Sequence, residues 1–162
     1  MEENKKIRSV ILPGSYDPVT LGHLDVIKRA AMEYDEVYVV AFVNPSKKYT
    51  FSLDERVSML MLATDELENV IVSYSNGLVI DYMRDHGIEL IIKGYRNNED
   101  LEYERRQAEW NLKMGGYETR FVKASEGLTN VSSTLARGKI KAGENLSDIL
   151  PERVINYIKT LD

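Results

Sequence analysis

Five short apolar runs rich in β-branched residues, at 7–12, 37–43, 70–73, 90–92 and 119–123, recur along the chain. Each is followed by a segment of helical periodicity, or by a loop that leads into one. No other feature constrains the fold as tightly, because strands that alternate with helices lie parallel and need the helices as crossovers. The expected architecture is α/β, a doubly wound sheet of five parallel strands. Helix boundaries are legible in places. Ser52 with Glu55 three residues on forms a capping-box pattern before VSMLMLA, Ser147 with Asp148 is expected to open a last helix running through Ile158, and Gly87 after His86 reads as a helix stop.

With 162 residues and no internal repeat, low-complexity tract or linker, the reading is one domain over 1–162, with about 1–6 a flexible N-terminus. The absence of cysteine excludes disulfides, thiolate metal sites and cysteine nucleophiles, and fits a reducing compartment. The start MEENKKIRSV has no apolar core, and no run reaches the roughly 18 apolar residues of a membrane helix. A cytoplasmic protein away from membranes is expected. With 21 basic against 26 acidic residues, broad nucleic-acid binding is not expected, so any anion must be met by a local cluster.

Such a cluster is expected where the strands end, since doubly wound sheets bind ligands beyond the carboxyl ends of their strands. There the first run leads into GSYDPVTLGH at 14–23. Gly14 permits close backbone approach, Asp17-Pro18 makes a turn, and Thr20 can cap a helix beginning near Leu21. Gly22 and His23 then fall in that helix's first turn, where free N–H groups favour an anion and the imidazole can donate to a phosphate oxygen. Neither a Walker loop nor GxGxxG is present.

A lone histidine here is most simply a satisfied, half-buried side chain, but this one has company. Lys47 and Lys48, Lys93 and Arg96, and Arg137 place cations at three other strand ends. Ser132, Ser133 and Thr134 form a second hydroxyl-rich helix start, either a plain N-cap with a surface arginine or a second phosphate cradle. Together they point to a polyphosphate such as a nucleotide. Nothing resembles a serine triad, so covalent catalysis has no candidate. An acceptor that is itself a phosphate monoester needs no general base, its second pKa being about 6. Catalysis then rests on alignment and charge neutralisation, helped by Mg²⁺ bound mainly through substrate phosphates. No protein metal site is expected.

These residues resemble the nucleotidyltransferase superfamily whose first motif reads T/HxGH, here Thr20-Leu21-Gly22-His23. Within it the chain is similar to the bacterial phosphopantetheine adenylyltransferases. The segments PGSYDPVTLGH, NPSKK at 44–48, TFSLDERV at 50–57, KGYRNNEDLEYE at 93–104 and VSSTLAR at 131–137 follow in the family's order and spacing. The resemblance implies a Rossmann-like nucleotidyltransferase fold. It also implies transfer of an adenylyl group from ATP to 4′-phosphopantetheine, giving dephospho-coenzyme A and pyrophosphate, and assembly as a homohexamer.

Residue by residue, the resemblance implies that His23 stabilises the transition state at the α-phosphate and that Lys47, the second catalytic residue, bridges acceptor phosphate and α-phosphate. Ser15, where the family commonly has threonine, would meet the phosphates of both substrates. ATP contacts would come from Gly14, Tyr16, Gly94, Arg96, Glu104 and Val131, and from Ser132, Ser133, Thr134 and Arg137. Leu78, Val79 and Asn111 would lie along the pantetheine arm. Lys93, on the acceptor phosphate, replaces the family's usual arginine, keeping the charge and losing the bidentate fork.

Other features have plain readings. His86 is expected at a helix C-terminus, Met59 and Met61 as core filler, Trp110 as core or interface, and NNEDLEYE as a solvated helix face. Alternative functions are transfer to nicotinamide mononucleotide or another phosphorylated acceptor, and a nucleotide-binding regulatory module without turnover. A class I aminoacyl-tRNA synthetase shares the histidine-glycine logic, but the chain has no room for anticodon recognition.

Overall fold

The computed structural model describes residues 8–161, so the stretch 1–6 lies outside the described residues. Strands β1 (Ser9–Gly14), β2 (Glu36–Phe42), β3 (Val70–Ser75), β4 (Leu90–Tyr95) and β5 (Glu118–Lys123) form one parallel sheet in the order β3-β2-β1-β4-β5. The expected α/β architecture is the one observed. Helices α1 (Leu21–Glu33), α2 (Leu53–Ala63), α3 (Val79–His86), α4 (Asn98–Gly115), α5 (Ser133–Ala142) and α6 (Glu152–Lys159) complete the order.

β1 is central and buried on both faces, which is why its residues read as a continuous apolar run rather than an alternation. Val10 and Leu12 face one core with Ile27, Met59, Leu60 and Leu150, while Ile11 faces the other with Tyr82, Met83 and Ile91. The order reverses at β1, since β2 lies on one side and β4 on the other. Its ladder with β2 runs for six pairs, from Ser9↔Glu36 to Gly14↔Ala41. The ladder with β4 holds only Val10↔Leu90 and Ile11↔Ile91. Beyond that point the two strands part, and the gap opens at their carboxyl ends, where a doubly wound sheet takes its ligand.

The caps follow the sequence at most helix ends. Ser52 and Glu55 form the expected capping box on α2, and Gly87 ends α3 in the left-handed region at φ 65°, with nothing within 4 Å of where a Cβ would stand. His86 sits at that C-terminus, its Nδ1 2.8 Å from the Tyr82 carbonyl oxygen.

Three expectations are corrected. The last helix starts at Glu152 rather than Ser147, because the Asn145 side chain accepts from Ser147 N–H in a local turn and Pro151, lacking an N–H, supplies the N-cap. β3 and β4 run on to Ser75 and Tyr95, past their apolar stretches. Met59 is fully buried, but Met61, two positions on, faces away from the core at 57% exposure.

Candidate active site

The loop from β1 to α1 is fixed by burial and by hydrogen bonds to three other segments. A Cβ on Gly14 would lie 3.1 Å from the Tyr16 ring, so only glycine lets the strand end pass under that ring without displacement. Tyr16 itself takes φ 50°, a strained choice for a non-glycine residue, held by burial and by its hydroxyl donating to the Leu12 carbonyl at 2.7 Å. Burial raises the pKa of its phenol. The buried Asp17 carboxylate accepts from the backbone N–H groups of Thr50 and Phe51, both at 2.9 Å, tying the loop to the approach to α2.

Thr20 then caps α1 as expected, but its partner in the capping box is His23 itself. His23 N–H donates to Thr20 Oγ1 at 3.3 Å, and Thr20 N–H donates to His23 Nδ1 at 3.0 Å. Because Nδ1 accepts, the neutral ring carries its proton on Nε2. The edge of Tyr16 packs against the ring, with centroids 4.9 Å apart. Burial, and then the positive charges of Lys93 and Arg96, lower the His23 pKa from 6.5 to about 4. At neutral pH His23 is an uncharged, oriented N–H donor at a helix start.

Lys47 comes from a turn after β2 in which Asn44 Oδ1 accepts from the backbone N–H and the hydroxyl of Ser46. Its ammonium lies 3.2 Å from Ser15 Oγ, so two residues 32 positions apart face the same point. Lys48 is exposed and lies outside the cleft lining.

The α5 start divides its hydroxyls between structure and cleft. Ser132 is the N-cap, accepting from Leu135 N–H at 3.0 Å, as its plain reading has it. Ser133 donates to the Pro18 carbonyl at 2.7 Å, and Arg137 donates to the Asp17 carbonyl at 2.9 Å and to Thr134 Oγ1 at 3.2 Å. All four line the cleft, and two of them stitch α5 to the loop before His23.

The opposite wall is β4 and α4. Lys93 spans the gap between the parting strands, its ammonium 3.3 Å from the Pro13 carbonyl and 3.4 Å from Glu104 Oε2. That carboxylate oxygen is buried with no hydrogen-bond partner. Arg96 makes a bidentate pair with Asp100, at 2.7 and 3.1 Å. Toward the far end stand Leu78, Val79, Trp110 and Asn111, and Trp110 is a wall residue, 45% exposed, rather than core. Apart from Lys48, every candidate site residue named from the sequence, including Gly94 and Val131, lines this one cleft of about 870 Å³.

Among the described residues no group of three or more His, Cys, Asp or Glu side chains could hold a metal ion. Asp17 is committed to backbone donors, Asp100 to Arg96, and Glu104 lies beside Lys93. No helix among the described residues is long and apolar enough to cross a membrane.

Several participants escaped the sequence reading. Asp17 read only as a turn former, Asp100 as part of a solvated face, and Arg56 only as one letter of the TFSLDERV segment, yet Arg56 is buried beneath Ser15. The available signal was local for Asp100, four residues after Arg96, and absent for the other two, whose partners are distant in sequence. Residues 11–139, spanning the first loop, the Lys47 turn, the β4 end and most of α5, match the cytidylyltransferase-like family. The chain therefore belongs to the cytidylyltransferase-like family, within the nucleotidyltransferases, whose general reaction is nucleotidyl transfer.

Proposed function

We propose that this nucleotidyltransferase moves the adenylyl group of ATP to 4′-phosphopantetheine, giving dephospho-coenzyme A and pyrophosphate, and that it does so in the cytoplasm. The observation that carries the reading is the convergence of Lys47 on Ser15 beside the neutral His23 at the start of α1. An anionic oxygen of the acceptor phosphate attacks the α-phosphorus, a new P–O bond forms, and the bond from the α-phosphorus to the bridging oxygen breaks to release pyrophosphate. His23 donates from Nε2 to an α-phosphate oxygen as its charge grows, and Lys47 and Ser15 hold acceptor and α-phosphate in line. No side chain has to remove a proton, since the acceptor phosphate is already anionic near neutral pH. Mg²⁺, bound through the phosphates, supplies further charge neutralisation.

Lys93 meets the acceptor phosphate, while Arg96 and the α5 residues meet the nucleotide phosphates. Gly14, Tyr16, Gly94 and Val131 border the adenylate, and Glu104 Oε2 accepts from a nucleotide hydroxyl or amine. The pantetheine arm, part apolar and part amide, finds matching chemistry in Leu78 and Val79 and in the Asn111 amide. Assembly as a homohexamer belongs to the same proposal. Its support is that α4 buries none of its 18 residues and exposes Leu112 and Met114, surface that further copies would cover.

Pyrophosphate release with ATP and Mg²⁺, measured with 4′-phosphopantetheine, nicotinamide mononucleotide and glycerol 3-phosphate, tests the reaction. Release with phosphopantetheine alone is expected. Release with another acceptor keeps the mechanism and moves the substrate, and ATP binding without release from any acceptor favours a regulatory module.

A further inference from the structure

Arg56 is the largest fully buried side chain among the described residues, at 2% exposure. It occupies the first turns of α2, four residues after the Ser52 cap, where the helix dipole disfavours a cation. No carboxylate lies within ion-pair distance of it among the described residues, and its Nε has no hydrogen-bond partner. A buried cation without a counter-ion, set at the positive end of a helix, opposes folding on each of these grounds. An apolar side chain of similar volume would fill the same space without those penalties. Stability of the fold therefore does not account for this residue.

What Arg56 does touch accounts for it better. Its guanidinium donates from Nη1 to the Ser15 carbonyl oxygen at 2.9 Å and lies over the Tyr49 ring at 3.9 Å from the centroid. The Tyr49 hydroxyl in turn accepts from Asn44 N–H at 2.8 Å, at the base of the turn that presents Lys47. One rigid planar group thus contacts the backbone beneath Ser15 and the ring that anchors the Lys47 turn. The two side chains so carried are those that meet at 3.2 Å across the reacting point.

We infer that Arg56 is a positioning residue for the transfer reaction, a buried bracket that fixes the Ser15 loop and the Lys47 turn relative to each other. Its charge, met by no carboxylate among the described residues, adds to the positive potential under the phosphate site. This inference rests on the proposed reading of the cleft as a nucleotidyl-transfer site. Misplacing a reacting group by about an ångström costs on the order of 10² in rate, so the bracket acts on turnover more than on substrate binding.

Steady-state kinetics of pyrophosphate release by Arg56→Met, Arg56→Lys and Tyr49→Phe, with thermal melting of each, test it. Arg56→Met is expected to melt at or above the wild-type temperature, to keep KM for ATP within about threefold, and to lose about 10² in kcat. Arg56→Lys, which keeps the charge and one donor but loses the planar stack, is expected to recover about tenfold of that loss. Tyr49→Phe keeps the ring but removes the hydroxyl that accepts from Asn44 N–H and donates to the Phe42 carbonyl, and is expected to lower kcat about threefold at unchanged KM. Wild-type kcat in a folded Arg56→Met, or a fall that the folded fraction explains, overturns the inference. Should Arg56→Met not fold, Tyr49→Phe decides, and an unchanged kcat there overturns it equally. Failure of the wild type to release pyrophosphate with any acceptor is a different result, and refutes the reading of the cleft instead.

Discussion

The two walls of the cleft are built on opposite principles. On the β1–α1 side the polar groups are held through backbone groups, most of them paired with distant segments. Asp17 is fixed by Thr50 and Phe51, His23 by Thr20, and the carbonyls of Pro18 and Asp17 by Ser133 and Arg137. On the α4 side no helix residue is buried, and the cations are held by carboxylates, Arg96 by Asp100 and Lys93 by Glu104. Backbone partners cannot leave without unfolding a loop, whereas a partly exposed side-chain ion pair can exchange its carboxylate for another anion. The first wall is fixed before substrate arrives and suits chemistry that depends on alignment. The second can trade internal partners for phosphate and suits binding.

The largest expected effect lies on the fixed wall. His23→Ala is expected to cut kcat by roughly 10²–10³, the scale of removing one oriented transition-state donor, with a near-native melting temperature. Unchanged turnover in a folded variant would remove His23 from the chemistry. Arg96→Ala, on the exchanging wall, is expected to raise KM for ATP about tenfold with kcat within a few-fold, since it removes one charge-assisted phosphate contact and one ion pair. A fall in kcat like that of His23→Ala would erase the contrast between the walls. Asp100→Asn sharpens it from the other direction. Releasing Arg96 from its carboxylate is expected to lower KM for ATP about two- to fivefold, the strength of such a pair, and a raised KM would show Asp100 to be the more important partner.

The smallest effect is on pH dependence. With a folded-state pKa of about 4 against 6.5, His23 takes up its proton less readily in the folded chain than in the unfolded one. Its contribution to stability is therefore complete above about pH 6.5 and declines as the pH falls toward 4. An NMR titration of the ring in the free protein is expected to give a midpoint near 4. ATP phosphates, by offsetting Lys93 and Arg96, are expected to move it upward. A midpoint near 6.5 with or without ATP would mean that neither enclosure nor those charges act on the ring.

The same contrast explains what could be read in advance. The fold was legible because β1 and its neighbours carry apolar runs that only buried parallel strands need, and because caps such as Ser52 and Gly87 act within four residues. The site was legible in its exposed cations and its helix starts. Its supports were not. Asp17 and Arg56 act on partners 33 to 41 positions away, and a buried charge looks like any other charge in a sequence. The ends of β3 and β4 were missed because Ser75, Lys93 and Tyr95 lie at the sheet's carboxyl edge, where residues serve the cleft or solvent rather than the core. The Ser147 cap failed since Asn145 offers that backbone a competing turn and Pro151 starts the helix instead.

A crystal structure with α,β-methylene-ATP bound would test the account most directly. The α-phosphate is expected about 3 Å from His23 Nε2 and from the Lys47 ammonium, with the β1–α1 loop in place and Arg96 turned from Asp100 to the phosphates. Phosphates seated elsewhere in the cleft, or an intact Arg96–Asp100 pair beside a loop that has moved to reach them, would contradict it.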